Sequence, residues 1–247
     1  MKILRTVAEV NEWKKAKKNI GFVPTMGALH EGHLNLVRES LNQCEDTVVS
    51  IFVNPTQFNN PNDLQTYPRT IEKDIELLNE LGTDAVFLPE AEEIYSDGYQ
   101  YKVCESKDSL PLEGEHRPGH FDGVLSVVMK LLMITGCHKC FMGEKDYQQL
   151  MLIQGMAKNL FLPVEVIGVP TAREADGLAM SSRNLNLSEE AREKAPLLYK
   201  VLKSETPLPE ARKQLEEAGF KVNYLKEMWG RKLVAAEIGG VRLIDNV

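Results

Sequence analysis

Short apolar runs alternate with segments of helical spacing through the first two thirds of the chain. Residues 47–53 are β-branched and aromatic, which is typical of a buried strand. Ile71, Ile75 and Leu78 recur at helical spacing ahead of Gly82, a residue that commonly ends a helix. Such an alternation favours parallel strands joined by crossover helices. The predicted fold class is therefore α/β, with a Rossmann-like doubly wound parallel sheet.

The same two periodicities predict the individual elements. Strands are expected at residues 20–25, 47–53, 85–88, 139–142 and 163–169, and a further strand is considered at 99–103. Helices are expected at residues 33–44, 70–81, 124–135 and 147–159.

The sequence changes character after about residue 172, where a polar, glycine-containing stretch begins. Ser188 precedes two glutamates, as an N-cap precedes the acidic first turn of a helix. Two strand-like runs flank Gly239 and Gly240, which indicates a hairpin. The prolines after this N-cap are expected to break the helical stretches: Pro196, Pro207 and Pro209. We therefore predict a Rossmann-like domain at residues 1–172 and a smaller C-terminal α+β domain at residues 173–247.

Composition narrows the class of protein. The formal net charge of −7 argues against general nucleic-acid binding, which usually needs a basic face. The most apolar helix candidate, residues 124–135, contains Lys130 and is too short to span a bilayer, and the first residues lack the apolar core of a signal peptide. Cys137 and Cys140 form a C-x-x-C without a second pair, so free thiols are expected. We expect a cytoplasmic protein with neither nucleic acid nor membrane as partner.

The segment at residues 24–33, Pro-Thr-Met-Gly-Ala-Leu-His-Glu-Gly-His, lies where a predicted strand turns into a helix. Gly27 and Gly32 let the backbone approach a ligand closely. The amino end of the following helix offers unpaired N–H groups and the positive end of its dipole, which suits a phosphate. His30 and His33 could instead be ordinary capping or surface residues. A zinc site is less favoured, because H-E-x-x-H spacing and a nearby third ligand are absent.

Polar loops follow four of the predicted strands, at residues 25–33, 54–57, 143–146 and 171–183. Open parallel sheets bind ligands outside the carboxyl ends of their strands, so these loops are expected to converge on one crevice. The run from Met180 to Arg183 supplies two hydroxyls and a guanidinium suited to phosphate oxygens.

Each of these polar residues also has a simpler interpretation. Lys145 and Arg183 could be solvated loop charges, and Asn54 and Gln57 could merely cap a turn. Arg117 and His120 could equally face a site or pin a loop, and Met26 and Met180 by default fill the core.

Taken together, these stretches resemble the pantothenate synthetase (pantoate–β-alanine ligase) family, an adenylate-forming branch of the nucleotidyltransferase superfamily marked by His-x-Gly-His. The matching segments run in order over nearly the whole chain: PTMGALHEGH at 24–33, VNPTQF at 53–58, YPRT at 67–70, RPGHFDGV at 117–124, GEKDYQQ at 143–149, DGLAMSSRN at 176–184 and RLIDN at 242–246.

The resemblance implies ATP, Mg²⁺, (R)-pantoate and β-alanine as ligands, and typically a homodimer. It implies ATP binding by Met26, Gly27, Ala28, Leu29, His30, Glu31, Gly32, His33, Gly143, Glu144, Lys145, Asp146, Ala172, Met180, Ser181, Ser182 and Arg183. Pantoate would contact Gln57, Gln149 and Met26, and β-alanine would contact Gln57. The catalytic set would be His33, as the acid that assists the leaving group, with His30, Lys145 and Arg183. No residue is assigned as a metal ligand.

The implied activity is ATP-dependent condensation of pantoate with β-alanine through a pantoyl adenylate. The first domain would bind nucleotide and pantoate, and the second domain would close over them as a lid. Two alternatives stay open: an adenylyltransferase that releases a stable adenylylated product, and a non-catalytic nucleotide-binding homologue. One departure is visible, because only about seven residues join Leu225 to Leu233 where the family usually has a longer connection. The C-terminal domain is therefore shortened.

Overall fold

The computed structural model describes residues 1–60 and 64–247, which form two compact units. We call these the first and second units. The first unit contains Met1–Leu29, His33–Gly143 and Gln148–Val169. The second unit contains His30–Gly32, Glu144–Tyr147 and Pro170–Val247. The second unit thus includes two short segments from earlier in the chain, His30–Gly32 and Glu144–Tyr147. The domain boundary after residue 172 stays a prediction.

The first unit is built from alternating strands and helices. Its elements are β1 (Lys2–Leu4), α1 (Val7–Lys14), β2 (Ile20–Thr25), α2 (Glu31–Gln43), β3 (Asp46–Ile51), a 3-10 turn (Pro55–Gln57), α3 (Ile71–Glu80), β4 (Ala85–Phe87), α4 (Ala91–Ile94), α5 (Glu113–His116), α6 (His120–Thr135), β5 (Lys139–Gly143), α7 (Tyr147–Asn159) and β6 (Glu165–Val169).

All six strands are parallel, in the order β1-β4-β3-β2-β5-β6. The apolar runs that predicted the strands supply the core, since Phe22, Val49 and Phe141 are fully buried. This confirms the α/β fold class. Buried parallel strands read as continuous apolar runs because helices cover both faces of the sheet, which explains why the sequence revealed them.

The strand order reverses between β2 and β5, and the pairing of these two strands is short. β2 pairs with β3 along its whole length, from Ile20–Asp46 to Thr25–Ile51. With β5 it pairs only at Gly21–Lys139 and Phe22–Cys140, near the amino ends. The carboxyl ends of β2 and β5 are thus not joined by ladder hydrogen bonds. Such a switch point is where open α/β sheets bind their ligands.

The second unit has its own helices and an antiparallel sheet, β7-β8-β9. Leu198, Leu215 and Val234 form part of a separate apolar core. Its elements are two 3-10 helices (Glu144–Asp146 and Ser182–Asn186), α8 (Glu189–Lys194), α9 (Leu197–Lys203), α10 (Leu208–Glu217), β7 (Lys221–Met228), β8 (Arg231–Ile238) and β9 (Val241–Asn246). The expected hairpin is confirmed, since Gly239 and Gly240 both have positive φ between β8 and β9.

Several details differ from the sequence predictions. Residues 99–103 form no strand, and Tyr99 has a left-handed φ of 63°. β7 was not predicted because a bulge between Val222 and Tyr224 interrupts its alternation. Helix α6 begins at His120, earlier than expected. Pro209 lies in the first turn of α10, where the missing N–H costs nothing, so it does not break a helix.

The free thiols agree with the expectation from the composition. All four cysteines are free, and burial raises the pKa of Cys137 to about 11, as expected of an unreactive structural thiol. No helix in the described ranges has the length and apolar character needed to cross a bilayer.

Candidate active site

The turn that follows β2 is held in an unusual backbone conformation. Gly27 and Ala28 both have positive φ, of 82° and 50°. A side chain at Gly27 would place its Cβ 3.0 Å from Ile51 Cγ2, so glycine is required by space as well as by conformation. The buried Thr25 hydroxyl accepts a hydrogen bond from the Gly27 N–H at 3.2 Å and donates one to the Ser50 carbonyl at 2.7 Å.

A buried carboxylate fixes the rest of this turn. Asp74, on α3, is 1% exposed. Its two oxygens accept hydrogen bonds from the N–H groups of Ala28 and Leu29, each at 2.9 Å, and one of them also accepts from the Thr70 hydroxyl at 3.2 Å. These two N–H groups point at Asp74, so any contact of Ala28 and Leu29 with a ligand would use other atoms. Sequence analysis missed Asp74, although it follows the YPRT segment by four residues.

Gln57 lies on the 3-10 turn after β3, and both ends of its carboxamide have partners in the first unit. Its Oε1 accepts from Asn54 Nδ2 at 2.9 Å, and its Nε2 lies 3.2 Å from Met26 Sδ. Asn54 is 1% exposed and caps this turn, accepting from the Thr56 N–H and from the Tyr95 hydroxyl. The capping interpretation of Asn54 is therefore confirmed, and the structure brings Gln57 and Met26 together.

The backbone of Gln57 is fixed by α6 and by the loop before it. His120 Nδ1 lies 2.9 Å from the Gln57 carbonyl oxygen, and Arg117 lies 3.2 Å from the other ring nitrogen of His120. A side chain at Gly123 would put its Cβ 2.5 Å from the Thr56 carbonyl, so α6 approaches the turn this closely only with glycine there. Of the two interpretations of Arg117 and His120, these contacts support the pinning of a loop.

In the second unit, His30 packs on the backbone of Gly32. The Gly32 N–H donates to His30 Nδ1 at 3.1 Å, and a Cβ on Gly32 would lie 2.9 Å from the ring. Burial and then the positive charge of Lys145 lower the pKa of His30 below its ordinary 6.5, and Asp146 partly opposes this. His30 is therefore neutral at pH 7, with its proton on Nε2, and this nitrogen acts as a donor. The glycine of His-x-Gly-His is thus explained by the position of the first imidazole.

The remaining phosphate-binding candidates of the second unit lie in two loops. Lys145 is in the 3-10 turn Glu144–Asp146, with a side chain 18% exposed and an Asp146 carboxylate oxygen 3.9 Å away. Met180 donates its N–H to the Ala172 carbonyl at 2.9 Å, which closes the second loop. The Ser181 hydroxyl caps the following 3-10 helix by accepting from the Arg183 N–H, and the Arg183 side chain is exposed.

The predicted residues thus divide between the units. The first unit carries Met26, Gly27, Ala28, Leu29, His33, Gln57, Gly143 and Gln149. The second unit carries His30, Glu31, Gly32, Glu144, Lys145, Asp146, Ala172, Met180, Ser181, Ser182 and Arg183. Their individual roles, and their convergence on one crevice, stay predictions. The neighbouring glutamines differ in exposure: Gln148 is buried and accepts a hydrogen bond from the Glu113 N–H, whereas Gln149 is partly exposed.

Strands β2 and β5 pair over only two residues at the switch point of the parallel sheet, and a glycine-rich turn with two histidines follows β2. These features are typical of α/β enzymes that bind nucleotides. Comparison with known proteins makes this specific. A family model described as pantoate-beta-alanine ligase matches residues 2–247. The chain belongs to the pantoate-beta-alanine ligase family, and it is an enzyme of the ligase class.

Individual relatives span nearly the whole chain. The pantothenate synthetase of Bdellovibrio bacteriovorus is 49% identical over 246 residues, covering 99% of this chain and 98% of that protein. The pantothenate synthetase of Cereibacter sphaeroides is 48% identical over 274 residues, covering 99% and 98%. A crystal structure of pantoate-beta-alanine ligase from Francisella tularensis, complexed with beta-gamma ATP and beta-alanine, is 42% identical, with a TM-score of 0.94, and the match covers 100% of this chain and 97% of that one.

Replacing Asp74 by alanine should destabilise the protein by about 2–3 kcal/mol, because two backbone N–H groups at a buried position lose their acceptors. Asp74→Asn should cost less, since the amide oxygen still accepts. Urea unfolding measures both. Glu72→Ala, at an exposed position of the same helix, is the matched control; an Asp74→Ala protein no less stable than this control would contradict the assigned clamp.

The pKa of His30 should respond to Lys145. In Lys145→Gln we expect the pKa of His30 to rise but to stay below 6.5, because burial is the larger cause. Because unfolding restores the ordinary pKa, the unfolded chain binds more protons, and this histidine lowers stability as the pH falls below about 6.5. Histidine NMR titration measures the shift. Lys213→Gln, on the exposed face of α10, is the control, and an unmoved pKa in Lys145→Gln would refute the coupling.

Proposed function

We propose that this chain condenses pantoate with β-alanine to give pantothenate, consuming ATP and releasing AMP and pyrophosphate through a pantoyl adenylate. The observation that carries the proposal is the match of the pantoate-beta-alanine ligase family model over residues 2–247. At the candidate site, the second unit holds both the neutral N–H donor of His30 and the cation of Lys145, whose charge helps to lower the pKa of that histidine. A donor and a point charge in one place suit the oxygens of a polyphosphate. Membership of the ligase family and the ligands of the Francisella tularensis relative support the choice of substrates.

In the first step a pantoate carboxylate oxygen attacks the α-phosphorus of ATP, and the bond from that phosphorus to the bridging oxygen of pyrophosphate breaks. No protein nucleophile is needed, so the enzyme contributes positioning and charge neutralisation. His33 acts as the acid that assists the leaving pyrophosphate. Lys145 and Arg183 neutralise charge on the phosphate oxygens, and the neutral imidazole of His30 donates a hydrogen bond to them from Nε2. The hydroxyls of Ser181 and Ser182 and the other ATP-binding residues named from the sequence complete the nucleotide contacts.

In the second step the β-alanine amine attacks the activated carbonyl carbon, the bond from that carbon to the phosphate oxygen breaks, and AMP leaves. The amine gives up a proton as the amide forms. Gln57 orients pantoate and later contacts β-alanine, a role for which its doubly held carboxamide is suited. Gln149 and the Met26 side chain complete the pantoate contacts.

Mg²⁺ enters this proposal bound to the phosphates of ATP. No cluster of three or more metal-binding side chains occurs among the described residues. Mg²⁺ in nucleotide sites usually takes most of its ligands from substrate phosphates and water, with one or two carboxylates from the protein. The half-exposed Asp146 carboxylate beside Lys145 is the ligand that this turn offers.

We further propose that the chain is a cytoplasmic homodimer. Its free thiols suit a reducing compartment. β6 is the last strand of the sheet, and edge strands are commonly covered. Beside it, a groove of about 530 Å³ is lined partly by Leu162 and Val164, and the Phe161 side chain is 90% exposed. A second copy of the chain is the proposed occupant of this apolar surface.

The reaction is tested by measuring AMP formation from ATP with pantoate, with and without β-alanine. We expect AMP and pantothenate only with both substrates, and pantoate-dependent pyrophosphate exchange without β-alanine. Release of a stable adenylylated product would indicate an adenylyltransferase instead. His33→Ala and Lys145→Ala should slow exchange by about 10²–10³-fold, the usual effect of losing a preorganised charge-stabilising donor. Normal exchange in both would exclude them from the chemistry, with Lys213→Ala as the surface control.

The dimer is tested by light scattering after size-exclusion chromatography. The native chain should show twice the mass of one chain, and Phe161→Glu should shift it towards monomer because a charge would enter an apolar interface. Tyr101→Glu, at a side chain 78% exposed elsewhere in the first unit, should leave the mass unchanged. A native monomer at micromolar concentration would count against the proposal.

A further inference from the structure

We propose that Asn246, the final residue of β9, is a positioning residue for Lys145 and so for the nucleotide. The inference rests on the proposed function in one respect, the assignment of Lys145 to the phosphates of ATP. Asn246 lies a hundred residues from Lys145 in sequence. Nothing in its residue type points to a role at a nucleotide site.

The contacts are direct and made within the second unit. The Asn246 carboxamide nitrogen donates to the carbonyl oxygen of Glu144 and to that of Lys145, each at 2.9 Å. Both N–H donors of one side chain thus hold two successive peptides of the turn. Asn246 is 3% exposed, so little water competes for these bonds. The backbone that carries Lys145 is therefore anchored to β9.

The orientation of this carboxamide is also fixed. Arg231 donates from Nη1 to Asn246 Oδ1 at 2.8 Å and from Nη2 to the Glu144 carboxylate at 2.8 Å. Its guanidinium lies 4.2 Å from the centre of the Tyr147 ring. Because Arg231 has only donors, it must face the oxygen of Asn246, and the amide nitrogen must then face the turn.

The geometry explains the choice of residue. Aspartate at position 246 would direct a second acceptor at two carbonyl oxygens, and alanine would remove the donor that both oxygens now share. Arg231 begins β8 directly after the two-residue turn Trp229–Gly230, in which both φ angles are positive, at 54° and 73°. The tight hairpin of this short C-terminal sheet therefore puts the guanidinium at the turn.

The test uses the full chain with Asn246→Ala. Loss of the two hydrogen bonds from the Asn246 carboxamide should raise the KM for ATP about tenfold while the KM for β-alanine stays within twofold. Asn223→Ala is the matched control: Asn223 lies on β7 of the same sheet and bonds Glu237 and Arg242, away from the turn. It should leave both constants unchanged. Equal changes in the two Asn variants would overturn the proposal.

A double-mutant cycle separates positioning from general destabilisation. If Asn246 acts through Lys145, its replacement should cost ATP binding far less in a Lys145→Ala background than in the native one. Fully additive effects would overturn the proposal. Should Asn246→Ala fail to fold, Arg231→Met provides the same cycle, since it removes the bonds that orient the carboxamide and hold Glu144.

Hydrogen exchange supplies a readout that needs no activity. The peptide covering residues 143–150 should exchange faster in Asn246→Ala than in the native chain and in Asn223→Ala. Unchanged exchange would overturn the proposal. If the native chain forms no AMP, the proposed function fails, while ATP affinity measured by calorimetry and the exchange data still decide the role of Asn246.

Discussion

The carboxylate of Asp74 is the interaction on which the histidine turn depends. Ala28 adopts a left-handed conformation that a residue with a Cβ rarely takes, and such conformations persist only where the surroundings hold them. Here one buried side chain binds two successive N–H groups and so determines the direction in which the chain leaves β2. Helix α3 thereby fixes the entry to α2, and both helices contribute to one apolar core, through Val37 and Leu78. Without this acceptor the N–H groups of Ala28 and Leu29 would lose their hydrogen bonds.

The same solution recurs at the other turns of the candidate site. Asn54 holds the side chain of Gln57, His120 contacts its backbone, and Asn246 holds the turn of Lys145. His120 and Asn246 come from distant elements and bond to the backbone of a turn, whereas Asn54 caps its own turn and holds the Gln57 side chain in place. Preorganisation of this kind matters for a reaction without a protein nucleophile, because charge placement must then supply most of the rate.

The sequence predicted the features that depend on neighbouring residues and missed those that depend on residues far apart in the chain. Strands β2, β3 and β5 are continuous apolar runs, and the glycines of 24–33 are local requirements of the backbone, so both were visible. The clamp at Asp74 joins residues 46 positions apart, and a lone aspartate on a helix carries no mark of its partner. The bulge in β7 removed the alternation that would have revealed that strand. What was missed is therefore mostly long-range hydrogen bonding, which no short window of sequence encodes.

The C-terminal sheet contributes contacts to two loops of the second unit. In this chain the two-residue turn at Trp229–Gly230 leads directly into Arg231, whose side chain contacts Glu144, Asn246 and Tyr147.

The nearly buried Asp245 binds Arg173 through both carboxylate oxygens and so connects β9 to the loop that carries Met180. Two adjacent residues at the end of β9 thus fix both loops on which the phosphate-binding candidates lie. These contacts come from the last two positions of β9 rather than from the tip of a hairpin.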